Sequence, residues 1–271
     1  MIAYLLCAGF GTRMRPLTAD TPKSLLPVAG TPMLNYLIED LRGWTALDAI
    51  HVAVNHRNAE AFRDWAIGWR ADCSTDGINL TVHDDGVTTT DEQLGAVGDL
   101  LFLLKHTGVP SDGALVSGGD SLYRFPLAPL LNDFNGTSSR VLALHEPDPN
   151  QRRQSSTLQL DGSRVTGLFE DPAQTTSKRI CPSFHLLTPD ALSTVAPYLE
   201  AGNDPDTLGT FIDALAQKQT VEAIRLPELE HLRLHCNTPT DLEHAHSLLE
   251  NEPRHLLDAE TLRQHLKKRD T

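Results

Sequence analysis

Apolar stretches rich in β-formers alternate along the first half of the chain with segments of helical period. The alternation predicts strands at Ile2 to Cys7, Ala49 to Asn55, Leu80 to His83, Ala114 to Ser117 and Arg140 to His145. Helices are expected between them at 32–42, 58–68, 92–105 and 126–133, the first capped by Thr31 with Pro32 in its opening turn. That order is the signature of an α/β fold with a mostly parallel sheet flanked by helices.

After residue 150 the pattern changes. Ser156 to Leu160 and Arg164 to Glu170 flank Asp161-Gly162, a two-residue hairpin signal, and another strand is expected near Ser183 to Leu187. This half reads as a smaller antiparallel lobe on the same sheet. Helices are then expected at about 189–197, 207–217 and 239–250, with a charged, solvated helix near 258–268. Without an internal repeat or low-complexity linker, one domain with two sub-lobes is the economical reading.

Composition narrows the classes. The 271 residues, 40% hydrophobic and 22% charged, are ordinary for a globular chain able to bury its own core. The apolar run Met1 to Ala8 has no basic segment before it and is broken at once by glycine, so it reads as a buried strand and not a signal sequence. No stretch approaches the roughly 20 apolar residues that span a bilayer, so no membrane partner is expected. Cysteines 7, 73, 181 and 236 show neither a CxxC pair nor a repeated spacing, which points to reduced thiols in a cytoplasmic protein.

A formal net charge of −13 argues against nucleic acid as a partner, since phosphate backbones are held by Lys- and Arg-rich surfaces. The first strand and helix depart from this balance. Up to residue 38 the chain carries Arg13, Arg15 and Lys23 against Asp20 alone, which favours a small anion there.

The same region holds the most informative string, Leu6-Cys7-Ala8-Gly9-Phe10-Gly11-Thr12-Arg13-Met14-Arg15-Pro16-Leu17-Thr18, continued by Thr21-Pro22-Lys23-Ser24-Leu25-Leu26-Pro27-Val28-Ala29-Gly30. Gly9 and Gly11 directly after a strand let the backbone approach a ligand, and successive N–H groups in such a turn form an anion-binding concavity. A dinucleotide fingerprint would need glycine where Met14 stands, and a Walker loop would need Gly-Lys at Met14-Arg15; both fail. Arg13 and Lys23 remain as cations for a triphosphate.

The whole run resembles the signature of the sugar-phosphate nucleotidyltransferase family, the NDP-sugar pyrophosphorylase type. The resemblance implies a Rossmann-like, glycosyltransferase-A type sheet and a nucleotidyltransferase domain over 1–250. Its nucleotide-binding half would be 1–146 and its acceptor-side half 147–238, followed by a C-terminal helical tail at 251–271. It also implies nucleoside triphosphate and a phosphorylated small molecule, first of all a sugar 1-phosphate, as partners. The nucleotide would be wrapped by Ala8, Gly9, Phe10, Gly11, Thr12 and Arg13, with backbone groups of Ala8 and Gly9 at the base. Arg13 would hold the leaving pyrophosphate and Lys23 the phosphates near the reacting α-phosphorus. The family's base-reading segment, ending in Leu-Gly-Thr, is matched by Gln93-Leu94-Gly95-Ala96, and a glutamine often found before it falls near Thr90.

The metal implied by the resemblance is Mg²⁺. Gly118-Gly119-Asp120 ends a strand where ligands bind in parallel sheets, and the family places its metal-holding Asp there. The family's second carboxylate opens an Asp-Ile-Gly-Thr-Pro motif, matched here by His235-Cys236-Asn237-Thr238-Pro239. His235 is read either as a metal ligand, which would favour Mn²⁺ or Zn²⁺ over Mg²⁺, or as a hydrogen-bonding histidine beside a capped helix. Asn237 is an alternative oxygen donor.

The acceptor end departs from the family. Glu-Lys-Pro becomes Glu170-Asp171-Pro172, and two expected glycines fall at Ser156 and Pro182. Glu170 and Ser156 are the acceptor-binding candidates, with Lys178 or Arg179 as compensating cations. Val54-Asn55-His56 resembles a segment of some uridylyltransferases of cell-wall sugar recycling, the alternative being an Asn-His that only forms a turn at a strand end. Two rivals follow: transfer to a polyol, cyclitol, choline phosphate or phosphonate, and a nucleotide-binding regulatory relative without turnover. Because the family contains dimers and tetramers, a homo-oligomer stays open.

Overall fold

The computed structural model of the protein describes residues 1–267; positions 268–271, the end of the expected helical tail, lie outside the described residues. The chain forms two compact units whose segments interleave. One contains Met1–Tyr4, Leu94–Ser117 and Phe134–Glu230; the other contains Leu5–Gln93, Gly118–Asp133 and the residues from His231 onward.

In the first unit, the strands Arg179–Cys181, Ser156–Asp161, Arg164–Phe169, Val221–Arg225, Ser139–His145, Phe184–Leu187 and Ala114–Gly118 follow one another across a mixed sheet. Val221–Arg225 runs parallel to Ser139–His145, from Val221 opposite Ser139 to Arg225 opposite Ala143. The other pairings are antiparallel. Val221–Arg225 was not expected from the sequence: five residues ending two positions before Pro227 carry too short a run to show a period. It is nonetheless interior to the sheet, with Val221 and Ala223 buried. The hairpin is real, but Asp161 pairs with Arg164, so the two loop residues are Gly162 and Ser163 and not Asp161-Gly162. Gly162 has φ 58, which glycine adopts without the penalty a Cβ brings. Helices Ala96–Thr107, Val195–Glu200 and Leu208–Ala216 pack together in this unit. The helix expected at 189–197 is two, Pro189–Ser193 and Val195–Glu200, with Thr188 capping the first through Ala191 N–H.

The second unit carries the parallel pair Ala49–Val54 and Asn79–Asp84. Helix Met33–Leu41 buries Met33, Leu34, Leu37, Ile38 and Leu41, the i, i+4 stripe of an amphipathic helix. Thr31 and Pro32 do not cap it as expected. They pair with Val28 and Pro27 around Ala29-Gly30, both at positive φ (47 and 78), the conformation of a tight hairpin turn. Helix Ala59–Thr75 runs about two turns past the expected end at 68, and the helix expected at 126–133 is a single turn at Ala128–Leu131. Helix Pro239–Asn251 closes the unit by setting Ala245 and its neighbours Leu242, Leu248 and Leu249 against Val28, Met33, Leu122, Leu234 and Cys236. All four cysteines are buried free thiols. Among the described residues no helix is long and apolar enough to cross a membrane.

Candidate active site

The glycine-rich string folds as a tight return at the end of strand Ile2–Leu6. Cys7 N–H donates to Ala53 O at 2.9 Å, which holds the strand's exit. At Gly9 the backbone is outside the left-handed region and an added Cβ would meet nothing within 4 Å. The fold itself therefore makes no demand for glycine there, and a ligand lying on the backbone would. Gly11 is the opposite case: φ is 61, and a Cβ would press on Thr18 Cγ2 at 3.0 Å and Lys23 Cβ at 3.3 Å. Its carbonyl accepts from Thr18 Oγ1 at 2.8 Å and from Met14 N–H at 2.9 Å. The short turn Thr12–Met14 that follows buries Met14 and leaves Thr12 and Arg13 exposed.

Lys23 opens the turn Lys23–Leu25, with Pro22 ahead of it fixed at φ −55. Its Nζ donates to Asp120 Oδ2 at 2.6 Å and to Asn237 Oδ1 at 2.6 Å, with the side chain only 14% exposed. Arg13 Nη2 reaches the same Asn237 oxygen at 3.3 Å. Asp120 is brought this close because Gly119 has no Cβ: one there would meet Cys7 Sγ at 2.5 Å and Ser24 Oγ at 2.7 Å. The strand Arg233–His235 pairs with Ser121–Tyr123, and Cys236 N–H donates to Asp120 O at 3.1 Å. Asn237 is then fixed by its N–H to Asp241 Oδ2 at 3.2 Å, part of the Thr238–Asp241 capping box of helix Pro239–Asn251. Asn237, named from sequence spacing as an alternative oxygen donor to metal, accepts from both cations through its Oδ1. A contact across 214 positions leaves no local pattern to find.

The electrostatics are those of an anion site. Burial would raise the Asp120 carboxyl, but the Lys23 ammonium and the His235 imidazole beside it bring it well below the ordinary carboxylate range. Burial, reinforced by Arg233, lowers His235 to about 4, so it is neutral at pH 7; its Nε2 lies 3.3 Å from Asp120 Oδ2. With Asp120 ionised, Arg13 and Lys23 leave one positive charge in excess.

The donor set can be tested against Mg²⁺. Among the described residues no group of three or more His, Cys, Asp or Glu side chains gathers around a common point. Mg²⁺, however, keeps several waters and is held by one or two carboxylates plus substrate phosphates. Asp120 meets that minimum, with His235 as a neutral neighbour and Asn237 occupied by the two cations. The residues fit a metal anchored mainly by a triphosphate and do not form an all-protein cage.

The remaining candidates lie in the first unit, except Thr90, which begins an exposed turn at Thr90–Glu92 in the second. Gly95 has φ 76, and a Cβ would run into the Pro205 carbonyl. Pro205 O and Asp206 O accept from Val97 N–H at 2.8 Å and Ala96 N–H at 3.3 Å, so two donors of that helix start are already used. Ser156 Oγ donates to Glu170 Oε1 at 2.6 Å, the pair being aligned by the register of Thr157 opposite Phe169. Both sit against Gly209 in the first turn of helix Leu208–Ala216, where a Cβ would collide with both. Asp171, at the position of the family's lysine, accepts Ala173 N–H at 2.9 Å and so serves the local turn. Arg179 pairs with Glu228 at 2.7 Å and lines, with Lys178, His145, Gln159 and Arg225, a cavity of about 740 Å³.

Residues 2–226 match the family model described as nucleotidyl transferase. A mannose-1-phosphate guanyltransferase of Schizosaccharomyces pombe is 25% identical over 73% of this chain and 52% of its own length. The chain thus spans about half the length of that relative. The UTP–glucose-1-phosphate uridylyltransferase AglF of Haloferax volcanii is 24% identical over 93% of this chain and 98% of its own length. Among solved structures, a UDP-glucose pyrophosphorylase complexed with UDP-glucose aligns over 93% of this chain and 99% of its own, with TM-score 0.72 at 15% identity. The CTP:phosphocholine cytidylyltransferase of Streptococcus pneumoniae aligns over 92% and 99%, with TM-score 0.66 at 18% identity. At these identities the structural likenesses establish the α/β fold.

Proposed function

Because the chain belongs to the nucleotidyl transferase family, we propose that it transfers a nucleoside monophosphate from a triphosphate to a phosphorylated small molecule, releasing pyrophosphate. A sugar 1-phosphate is the first acceptor to test, since the two relatives named above act, by their names, on hexose 1-phosphates. The observation that carries the reading is the convergence of Arg13 and Lys23 on Asn237, beside Asp120 and the glycine turn.

An acceptor phosphate is already ionised near neutral pH, so in-line attack on the α-phosphorus needs no general base. Catalysis is then positioning and charge neutralisation, as in phosphoryl transfer generally. Arg13 holds the departing pyrophosphate, and Lys23 moves from Asp120 and Asn237 onto the phosphates. Ala8 to Thr12 supply backbone to the nucleotide, with Thr90 and Gly95 on the base side. Asp120 would hold a divalent ion, Mg²⁺ or, with His235 contributing, Mn²⁺, which would supply charge neutralisation. In the acceptor role, Glu170 receives a hydroxyl of the acceptor, oriented by Ser156.

Asp171 favours a second reading of the acceptor. A carboxylate in place of the family's lysine repels a phosphate placed as in hexose 1-phosphates, which supports a polyol, cyclitol or choline phosphate, or a phosphonate. One screen separates these cases: pyrophosphate release with Mg²⁺ or Mn²⁺, the common triphosphates and a panel of acceptors, with Asp120→Ala as control. Efficient turnover of a hexose 1-phosphate sinks the second reading. Tight triphosphate binding without release for any acceptor sinks both and leaves a regulatory protein.

A further inference from the structure

Val54-Asn55-His56 is the one motif of the sequence that the proposed chemistry leaves without a task. Asn55 follows strand Ala49–Val54 in extended conformation, at φ −73 and ψ 157, and is fully buried. Its Nδ2 donates to Ala8 O at 2.7 Å, and its Oδ1 accepts Asn58 N–H at 3.0 Å, capping the turn His56–Asn58. A primary amide offers a donor and an acceptor from one planar group, which these two backbone partners require together.

The next residue extends the tie. His56 N–H donates to Val87 O at 2.9 Å, and Asp85 N–H donates to Val54 O at 2.9 Å. His56 Nδ1 lies 2.9 Å from Asp84 Oδ2, which also accepts Arg63 Nη2 at 3.0 Å. One dipeptide therefore holds the backbone at Ala8, beside Gly9, and contacts the following strand end at Asp84 and Val87.

We infer that Asn55 is a positioning residue for the nucleoside triphosphate, acting through the Ala8 carbonyl. The inference rests on the nucleotidyl-transfer reading. Without the amide bond the Ala8–Gly9 peptide is free to rotate, and the N–H groups and the surface it offers to the nucleotide lose their fixed orientation. Misplacement of about 1 Å in a site can cost on the order of 10²-fold in rate.

Two substitutions separate positioning from structure. Asn55→Ser keeps a cap for Asn58 N–H, since serine caps about as well as asparagine, but is too short to reach Ala8 O. Asn55→Ala loses both bonds. Binding of ATP, CTP, GTP, UTP and dTTP to the full chain is measured by calorimetry, with triphosphate KM, acceptor KM, kcat and the urea midpoint where turnover allows. The expected result is a rise of about tenfold or more in triphosphate Kd and KM for both variants, with acceptor KM little changed. The urea midpoint should fall less for Asn55→Ser, which loses the bond to Ala8 O alone, than for Asn55→Ala, which also loses the cap. Parental triphosphate affinity in Asn55→Ser overturns the positioning role while leaving nucleotidyl transfer intact, as does a parallel loss of stability, acceptor KM and triphosphate KM. A parent chain that binds none of the five triphosphates overturns both.

Discussion

Lys23 Nζ stands 2.6 Å from Asp120 Oδ2, although 97 positions separate the two residues. In the proposed chemistry this pair sets the phosphate-binding cation against the carboxylate that would anchor a metal. Asp120→Ala removes that anchor and leaves Lys23 with Asn237. Pyrophosphate release should fall by at least ~10²-fold, while far-UV circular dichroism stays that of the parent. Activity within a few-fold of the parent would remove Asp120 from the mechanism.

The two loop glycines should respond differently to one methyl group. Gly11→Ala forces a Cβ into a left-handed residue against Thr18 and Lys23, and should lower stability by about 1–2 kcal/mol in urea titration. Gly9→Ala meets nothing in the protein, so its urea midpoint should match the parent while its triphosphate affinity drops. Equal stability losses in both would mean that Gly9 serves the fold alone.

Gly209→Ala tests the acceptor role of Ser156 and Glu170. The added methyl collides with both side chains, so acceptor KM should rise several-fold at unchanged triphosphate KM. A rise confined to triphosphate KM would move these residues out of the acceptor role.

His185 sets an acid limit on stability. It is buried in strand Phe184–Leu187, and burial lowers it to about 3 from an ordinary value of 6.5. The folded chain holds the neutral ring while the unfolded chain takes up a proton below pH 6.5. Its contribution is therefore complete above pH 6.5 and is lost progressively as pH falls toward 3, by up to about 1.4 kcal/mol per unit. Urea unfolding between pH 6.5 and 4.5 should show a shallower slope for His185→Leu than for the parent; identical slopes would assign the acid sensitivity elsewhere.

The sequence by itself determined the α/β class, most strand positions and the family, because a strand–glycine–cation string and alternating apolar runs are local features. Arg13, Lys23 and Asp120 could be named from it for the same reason. It misplaced the start of helix Met33–Leu41, since Thr31-Pro32 reads equally as a cap or as the return strand of a hairpin. The structure settles on the hairpin, pairing Thr31 with Val28 across the turn Ala29-Gly30. The sequence passed over Val221–Arg225, whose strand state depends on Ser139–His145 lying alongside it. It could not show that Asn237 accepts jointly from Arg13 and Lys23, or that Asn55 has its partner at Ala8. Beyond that local turn the reason is shared: a side chain's chemistry is written locally, but the partner it meets is set by which distant strand ends the sheet and its helices bring together.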